Sequence, residues 1–181
     1  MLFFKAASRL NRIYLSGRYI YYQDKKLLKV GRNTYGISNI KISTYCSIDF
    51  VPVVIGDFCS IGPGLEIILG GVHPKNNNAL YPVRIKMLKE KKSLKVVEGV
   101  EIGNDVWIAS GVTILSGVKL GNGCVVMSNS TVTKCFPEYS IIGGCPARLI
   151  GTRNVEDRFK SWWNFSFEEI KKNSQSLNNE I

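Results

Sequence analysis

Among its 181 residues this chain has a single histidine, His73. A metal site built from several imidazoles has no source in one copy, and no metal is expected. The five cysteines (Cys46, Cys59, Cys124, Cys135 and Cys145) are odd in number and include no Cys-x-x-Cys pair. That argues against a disulfide frame or a zinc ribbon and reads as small core residues in a reducing compartment. No run of about 18 apolar residues occurs, so no membrane-spanning helix is expected. Arg9 and Arg12 break up any apolar stretch near the start, which disfavours a signal peptide and points to a cytoplasmic protein.

What is present is positive charge in two places. The net charge is +10, yet residues 1–32 hold eight Lys/Arg against one Asp, and residues 68–95 hold seven against one Glu. The rest of the chain is therefore mildly acidic, at −3. Localised basicity suits anionic partners such as phosphates, acidic glycans or lipid headgroups. Nucleic acid is not expected, because a basic binding platform interleaves aromatics with its cations and residues 68–95 offer only Tyr81.

The second feature is a count in sixes. Val96, Ile102, Ile108, Ile114, Leu120, Val126 and Val132 follow one another at intervals of six without a break. A helix repeats its apolar face every 3.6 residues and an amphipathic strand every two, so neither explains the run. A parallel β-solenoid does: each short strand and its turn take six residues, and successive coils stack aliphatic side chains into one column. A looser set precedes it (Val30, Gly36, Ile42, Ile48, Val54), slips by one residue at Pro52-Val53-Val54 and resumes at Ile55, Ile61 and Ile67. Roughly five coils of about 18 residues are expected, above the minimum of about three for a shared core.

These counts divide the chain into a lead-in over 1–29, a solenoid over 30–151 and a tail over 152–181. The repeat stops for residues 68–95 and resumes in register, so that stretch must leave and re-enter at one corner as a protruding loop. Loops of this length in compact domains are usually functional or disordered. Phe3, Ala6, Ala7, Leu10, Ile13 and Tyr14 follow helical spacing, so residues 2–15 read as an amphipathic helix. It either caps the first coil or lies on an anionic membrane surface as a peripheral contact at the inner membrane. Ser166 and Glu169 form a capping-box pattern that starts a short C-terminal helix.

Several motifs occur together: Cys59-Ser60-Ile61-Gly62-Pro63-Gly64, Gly70-Gly71-Val72-His73, Tyr81-Pro82, Ile102-Gly103-Asn104-Asp105-Val106-Trp107 and Trp162-Trp163. With the sixes they resemble the hexapeptide-repeat acyltransferases, in particular the xenobiotic branch that includes streptogramin and hexapeptide-type chloramphenicol acetyltransferases. Polysaccharide O-acetyltransferases are close by. The resemblance covers about residues 30–170. It implies an all-β, left-handed parallel β-helix, a homotrimer, and acetyl-CoA bound in a groove along the coils between subunits. It also implies that His73 is the catalytic base. A neutral imidazole can take the proton of a hydroxyl as that oxygen attacks a thioester, and fixed N–H donors must then hold the oxyanion.

By the same match, Ala109 and Ser110 lie near the oxyanion donors, and Ser110, Ser128, Thr133 and Lys134 lie where the family contacts the pantetheine arm and phosphates. Arg148 and Arg153 lie near the end of the groove. The match departs at Ser128-Asn129, where the family often has Ala-Gly. Lys134 and Arg153 also read as solvated surface charge. Tyr81 and Trp107 are candidates for the acceptor side, Trp107 equally for packing on a solenoid face. No Asp or Glu lies within ten residues after His73, so its ring must be oriented by a backbone carbonyl or by a residue distant in sequence. The γ-class carbonic anhydrases share the fold but need three histidine ligands for zinc, which one His per chain does not supply. The expected function is acetyl transfer to a hydroxyl of a sugar or surface-polysaccharide precursor, with a drug acceptor as the alternative and a non-catalytic solenoid as a second one.

Overall fold

The computed structural model describes residues 12–15, 18–21, 28–45, 53–71, 73, 75–90 and 98–178. Two hairpin strands come first, β1 (Arg12–Leu15) and β2 (Arg18–Tyr21). The first coil runs through β3 (Leu28–Val30), a bridge at Tyr35 and β4 (Ile40–Thr44). The second consists of β5 (Val53–Ile55), β6 (Ser60–Ile61) and β7 (Leu65–Leu69). After the loop, which carries the short helix α1 (Val83–Lys86), the third holds β8 (Val100–Ile102), β9 (Trp107–Ile108) and β10 (Thr113–Leu115). The fourth holds β11 (Lys119–Leu120), β12 (Val125–Val126) and β13 (Thr131–Val132). A partial fifth coil pairs at Phe136 and ends in β14 (Ser140–Gly144), on which β15 (Ala147–Thr152) lies antiparallel.

Equivalent strands of successive coils pair in parallel and make three sheets. Sheet A is β4, β7, β10 and β13, extended at β4 by the β1–β2 hairpin; sheet B is β3, β5, β8 and β11; sheet C is β6, β9, β12 and β14, closed by β15. The first edge of the prism joins A to B, the second B to C and the third C to A. The aliphatic residues counted in sixes point inward and stack: Ile67, Ile114 and Val132 in A, Ile55, Ile102 and Leu120 in B, Ile61, Ile108 and Val126 in C, where Ile142 extends the column beyond the count, all buried. Burying each such side chain is worth about 1.5–3 kcal/mol. Cys59 and Cys124 complete the same core, and burial pushes both thiols above their ordinary range, so neither is a ready nucleophile.

The Ile-Gly and Leu-Gly pairs explain the second edge. Gly31, Gly56, Gly103 and Gly121 each donate their N–H to the next coil, at 2.8–3.0 Å. A Cβ on Gly103 would sit 2.7 Å from the Asn122 nitrogen, so only glycine lets these corners stack. One residue on, a polar ladder runs along the edge. The Arg32 N–H and Nε donate to the two Asp57 oxygens, the Asp57 N–H to Asn104 Oδ1, the Asn104 N–H to Asn122 Oδ1, and Asn122 Nδ2 to Glu138 Oε1.

The tail returns along this edge. Arg153 Nη1 donates to Asp105 Oδ2 and to the Gly123 carbonyl, both at 2.9 Å. Phe159 and Trp163 are buried, Trp162 packs on Phe58 with ring centroids 4.7 Å apart, and Arg32 Nη2 donates to the Trp163 carbonyl. The tail thus docks on its own solenoid. It ends in α2 (Phe167–Leu177), started by the expected capping box of Ser166 and Glu169.

Two expectations need correction. Residues 12–15, placed in the amphipathic helix by their spacing, form β1, because Tyr14 and Leu15 pair with Ser43 and Thr44 at the open edge of sheet A; residues 2–11 lie outside the described residues. Ile42 faces Ile67, 25 positions on, whereas Ile114 faces Val132 after 18. In place of a one-residue slip, the step from the first coil to the second is therefore seven residues longer than a regular coil; Ile48, with the rest of 46–52, lies outside the described residues. Ile67 holds the sheet A place beside Ile114, so the regular coils resume at β8. Val96, counted as the start of the run, lies outside the described residues. No helix among the described residues is long and apolar enough to cross a membrane.

Candidate active site

The long loop leaves the prism at the first edge, directly after β7. Gly70 and Gly71 both have left-handed backbone, with φ of 79° and 77°, which turns the chain outward at no Cβ cost. The exit is held from the coil below: the Gly70 N–H donates to Ser116 Oγ at 2.6 Å, and that hydroxyl donates to the Ile68 carbonyl at 3.1 Å. Beyond it, residues 70–90 form an arm with little buried surface, on which Leu80, Tyr81, Val83, Met87 and Leu88 are all exposed.

His73 stands at the base of this arm, exposed, with Nδ1 2.8 Å from the Leu80 carbonyl oxygen. A carbonyl only accepts, so this contact assigns the proton to Nδ1 and leaves the Nε2 lone pair free. The orienting group is a backbone carbonyl seven residues on, one of the two possibilities open from the sequence. The arrangement suits a general base: the ring is fixed through one nitrogen and accessible through the other.

The remaining candidates distribute over the three edges. Thr133 and Lys134 follow β13 as Ser116 follows β10 and Gly70 follows β7, so they share the first edge with the arm. Lys134 is exposed, its Nζ 5.4 Å from the centroid of the Phe136 ring. Ala109, Ser110 and Ser128 lie on the third edge. The Ala109 N–H is spent on the Val126 carbonyl at 2.9 Å, whereas the N–H and hydroxyl of Ser110 have no partner among the described residues. Of the two residues singled out as oxyanion donors, only Ser110 has a donor to offer. At the Ser128-Asn129 departure, Asn129 takes the left-handed conformation itself (φ 58°), so the turn keeps the shape a glycine would give it.

Arg148 is exposed on β15, and Arg153 is committed to Asp105 at the second edge. One protomer therefore brings together His73, Thr133 and Lys134 but not the third-edge serines or Arg153. Tyr81 is exposed two residues before α1, one position after the carbonyl that holds the His73 ring. Trp107 is 52% exposed on the outer face of sheet C. Parallel register places Tyr35 beside Ser60 and Ser60 beside Trp107, so two exposed aromatics flank a serine in one outward row. Tyr35 was not a candidate from the sequence: it lies in the looser sixes, and only the register puts it beside Trp107. Next to the first edge, a shallow groove of about 940 Å3 crosses sheet B over Gly99, Glu101, Lys119, Cys135 and Glu138.

Comparison with known proteins agrees with this geometry. Residues 99–134 match the model of the bacterial transferase hexapeptide family (six repeats). A probable macrolide acetyltransferase of Lysinibacillus sphaericus is 36% identical over 140 residues, 71% of this chain and 78% of the relative. A chloramphenicol acetyltransferase of Morganella morganii is 34% identical over 166 residues, 80% of this chain and 79% of the relative. Among solved structures, a galactoside acetyltransferase in complex with coenzyme A superposes with a TM-score of 0.53 at 29% identity, covering 86% of this chain and 64% of that one. The chain belongs to the hexapeptide-repeat transferase family, whose similar members include acetyltransferases named for antibiotics and for galactosides.

Proposed function

We propose that this protein moves the acetyl group of acetyl-CoA onto a hydroxyl of a sugar or surface-polysaccharide precursor, with His73 as general base. The observation that carries the reading is the Nδ1–Leu80 hydrogen bond, which leaves Nε2 free on an exposed arm. The thioester supplies the activated acetyl. The acceptor oxygen forms the new C–O bond at its carbonyl, the C–S bond breaks, and the hydroxyl proton passes to His73 Nε2 and on to the departing thiolate. Ser110 offers an N–H and a hydroxyl for the oxyanion, unpaired among the described residues, and Lys134 a cation for coenzyme phosphate that packs on Phe136 and makes no ion pair among them.

The base and the oxyanion donor lie on different edges of one prism. We therefore read the working unit as a homotrimer of left-handed coils, in which the first edge of one subunit faces the third edge of the next. The five exposed apolar side chains of the arm are the surface a neighbouring subunit would cover. A drug acceptor is the second reading, favoured by the 36% identity to the macrolide relative.

The test is release of free thiol from acetyl-CoA by wild type and His73→Ala, with chloramphenicol, a streptogramin A, neutral sugars and acidic sugars as acceptors. Release with sugars, lowered at least about a hundredfold in the variant, is expected. Release with drugs alone would move the chain to the second reading. Equal turnover in His73→Ala would remove the base.

A further inference from the structure

Resting on the transferase reading, we infer that the arm is a binding surface for an anionic group on the acceptor, a carboxylate or phosphate carried by the sugar that is acetylated. The placement of charge supports this. On the solenoid and tail, six of the eleven described cations are ion-paired: Arg32 with Asp57, Lys41 with Glu66, Lys119 with Glu101, Arg153 with Asp105, Arg158 with Glu156 and Lys160 with Asp157. On the arm one described cation of four is paired. Arg84 is held by Glu90 at 2.8 Å, which uses the one acidic residue of 68–95, and Lys75, Lys86 and Lys89 have no partner among the described residues.

Part of this charge sits beside the base. Lys75 is two residues from His73, so their Cα atoms lie within about 8 Å, roughly one Debye length at physiological salt. The Leu80 carbonyl that orients the ring comes three residues before α1, whose last residue is Lys86. A neutral antibiotic or sugar gains nothing from three unpaired ammonium groups, which favour a negative charge brought to His73. Coenzyme phosphates share that chemistry, and the experiment separates the two sources.

Initial rates of thiol release are measured with methyl galactoside and with the methyl glycoside of galacturonic acid, which differ at C6 (hydroxymethyl against carboxylate). Wild type is compared with the triple variant Lys75→Gln, Lys86→Gln, Lys89→Gln at low and high salt. The ratio of kcat/KM, acid over neutral, is expected to be about tenfold or more in wild type and to fall to within about twofold in the variant and at high salt. A ratio near one in wild type overturns the inference and leaves the transferase reading intact. So does a variant whose loss is confined to the KM for acetyl-CoA, since the lysines then serve the coenzyme.

Equilibrium binding of fluorescent polygalacturonate against neutral dextran provides an arm independent of turnover. Preferential binding lost in the variant, with no thiol release from any acceptor, sinks the transferase reading and keeps the anionic surface. Equal binding of both polymers, with no thiol release, overturns both.

Discussion

The arm and the solenoid are built by opposite rules. In the solenoid nearly every inward side chain is buried, corners are fixed by glycines, and Arg32, Lys41 and Lys119 are paired with the carboxylates of adjacent coils. The arm leaves its large apolar residues exposed and three lysines unpaired, yet it holds the only histidine. The scaffold makes one excursion precise at its root, through Ser116, Gly70 and the Leu80 carbonyl, and leaves the rest of it open to a partner.

Substitutions on the two sides should break different things. Ile114→Asp puts a carboxylate between Ile67 and Val132 in a column with no water access, at a cost of several kcal/mol against a total of about 5–15. Loss of soluble, folded protein by circular dichroism is expected; a stable variant would refute the inward register. His73→Ala should do the reverse, cutting turnover at least about a hundredfold while shifting stability by no more than about 0.5 kcal/mol, since the ring is exposed. A large fall in its Tm would show that the imidazole holds the arm together.

Gly36→Ala tests the corners. Its φ is 80°, and an added Cβ would lie 1.9 Å from the Ile61 carbonyl oxygen. A loss of about 3 kcal/mol is expected, read as a Tm lowered by roughly 10 °C. Smallest is the pH effect at Glu66. The Lys41 hydrogen bond, helped by Ser43, holds its carboxyl below the ordinary carboxylate range. A carboxyl depressed on folding contributes stability above its unfolded pKa and loses it as pH falls through the folded one. Acid unfolding below about pH 4.5 should therefore be shallower in Glu66→Gln, by well under 1 kcal/mol because the pair is partly solvated. An unchanged acid limb would show that the ion pair contributes nothing.

How far the sequence was legible depends on where information is periodic. From Ile102 to Val132 every residue counted in sixes points inward, because a coil of fixed length converts spacing directly into stacking. Between Ile42 and Ile67 the same arithmetic misleads, since seven extra residues keep the sixes almost in step without adding a coil. The helical spacing over residues 12–15 lost to an open sheet edge, a long-range partner that local periodicity does not register. His73 was legible through its motif, but its orienting Leu80 carbonyl was not, because every residue has a carbonyl and only the path of the arm selects one.

By itself the sequence determined the repeat, the inward aliphatic columns, the loop that interrupts them and the capped C-terminal helix, all set by spacing along one chain. Tertiary structure alone decided that Arg153 binds Asp105 rather than standing free, that Tyr35 shares a row with Trp107, and that the base and the third-edge serines lie apart in one protomer. Each of those depends on which coil lies beside which, a relation between distant residues that no local pattern encodes.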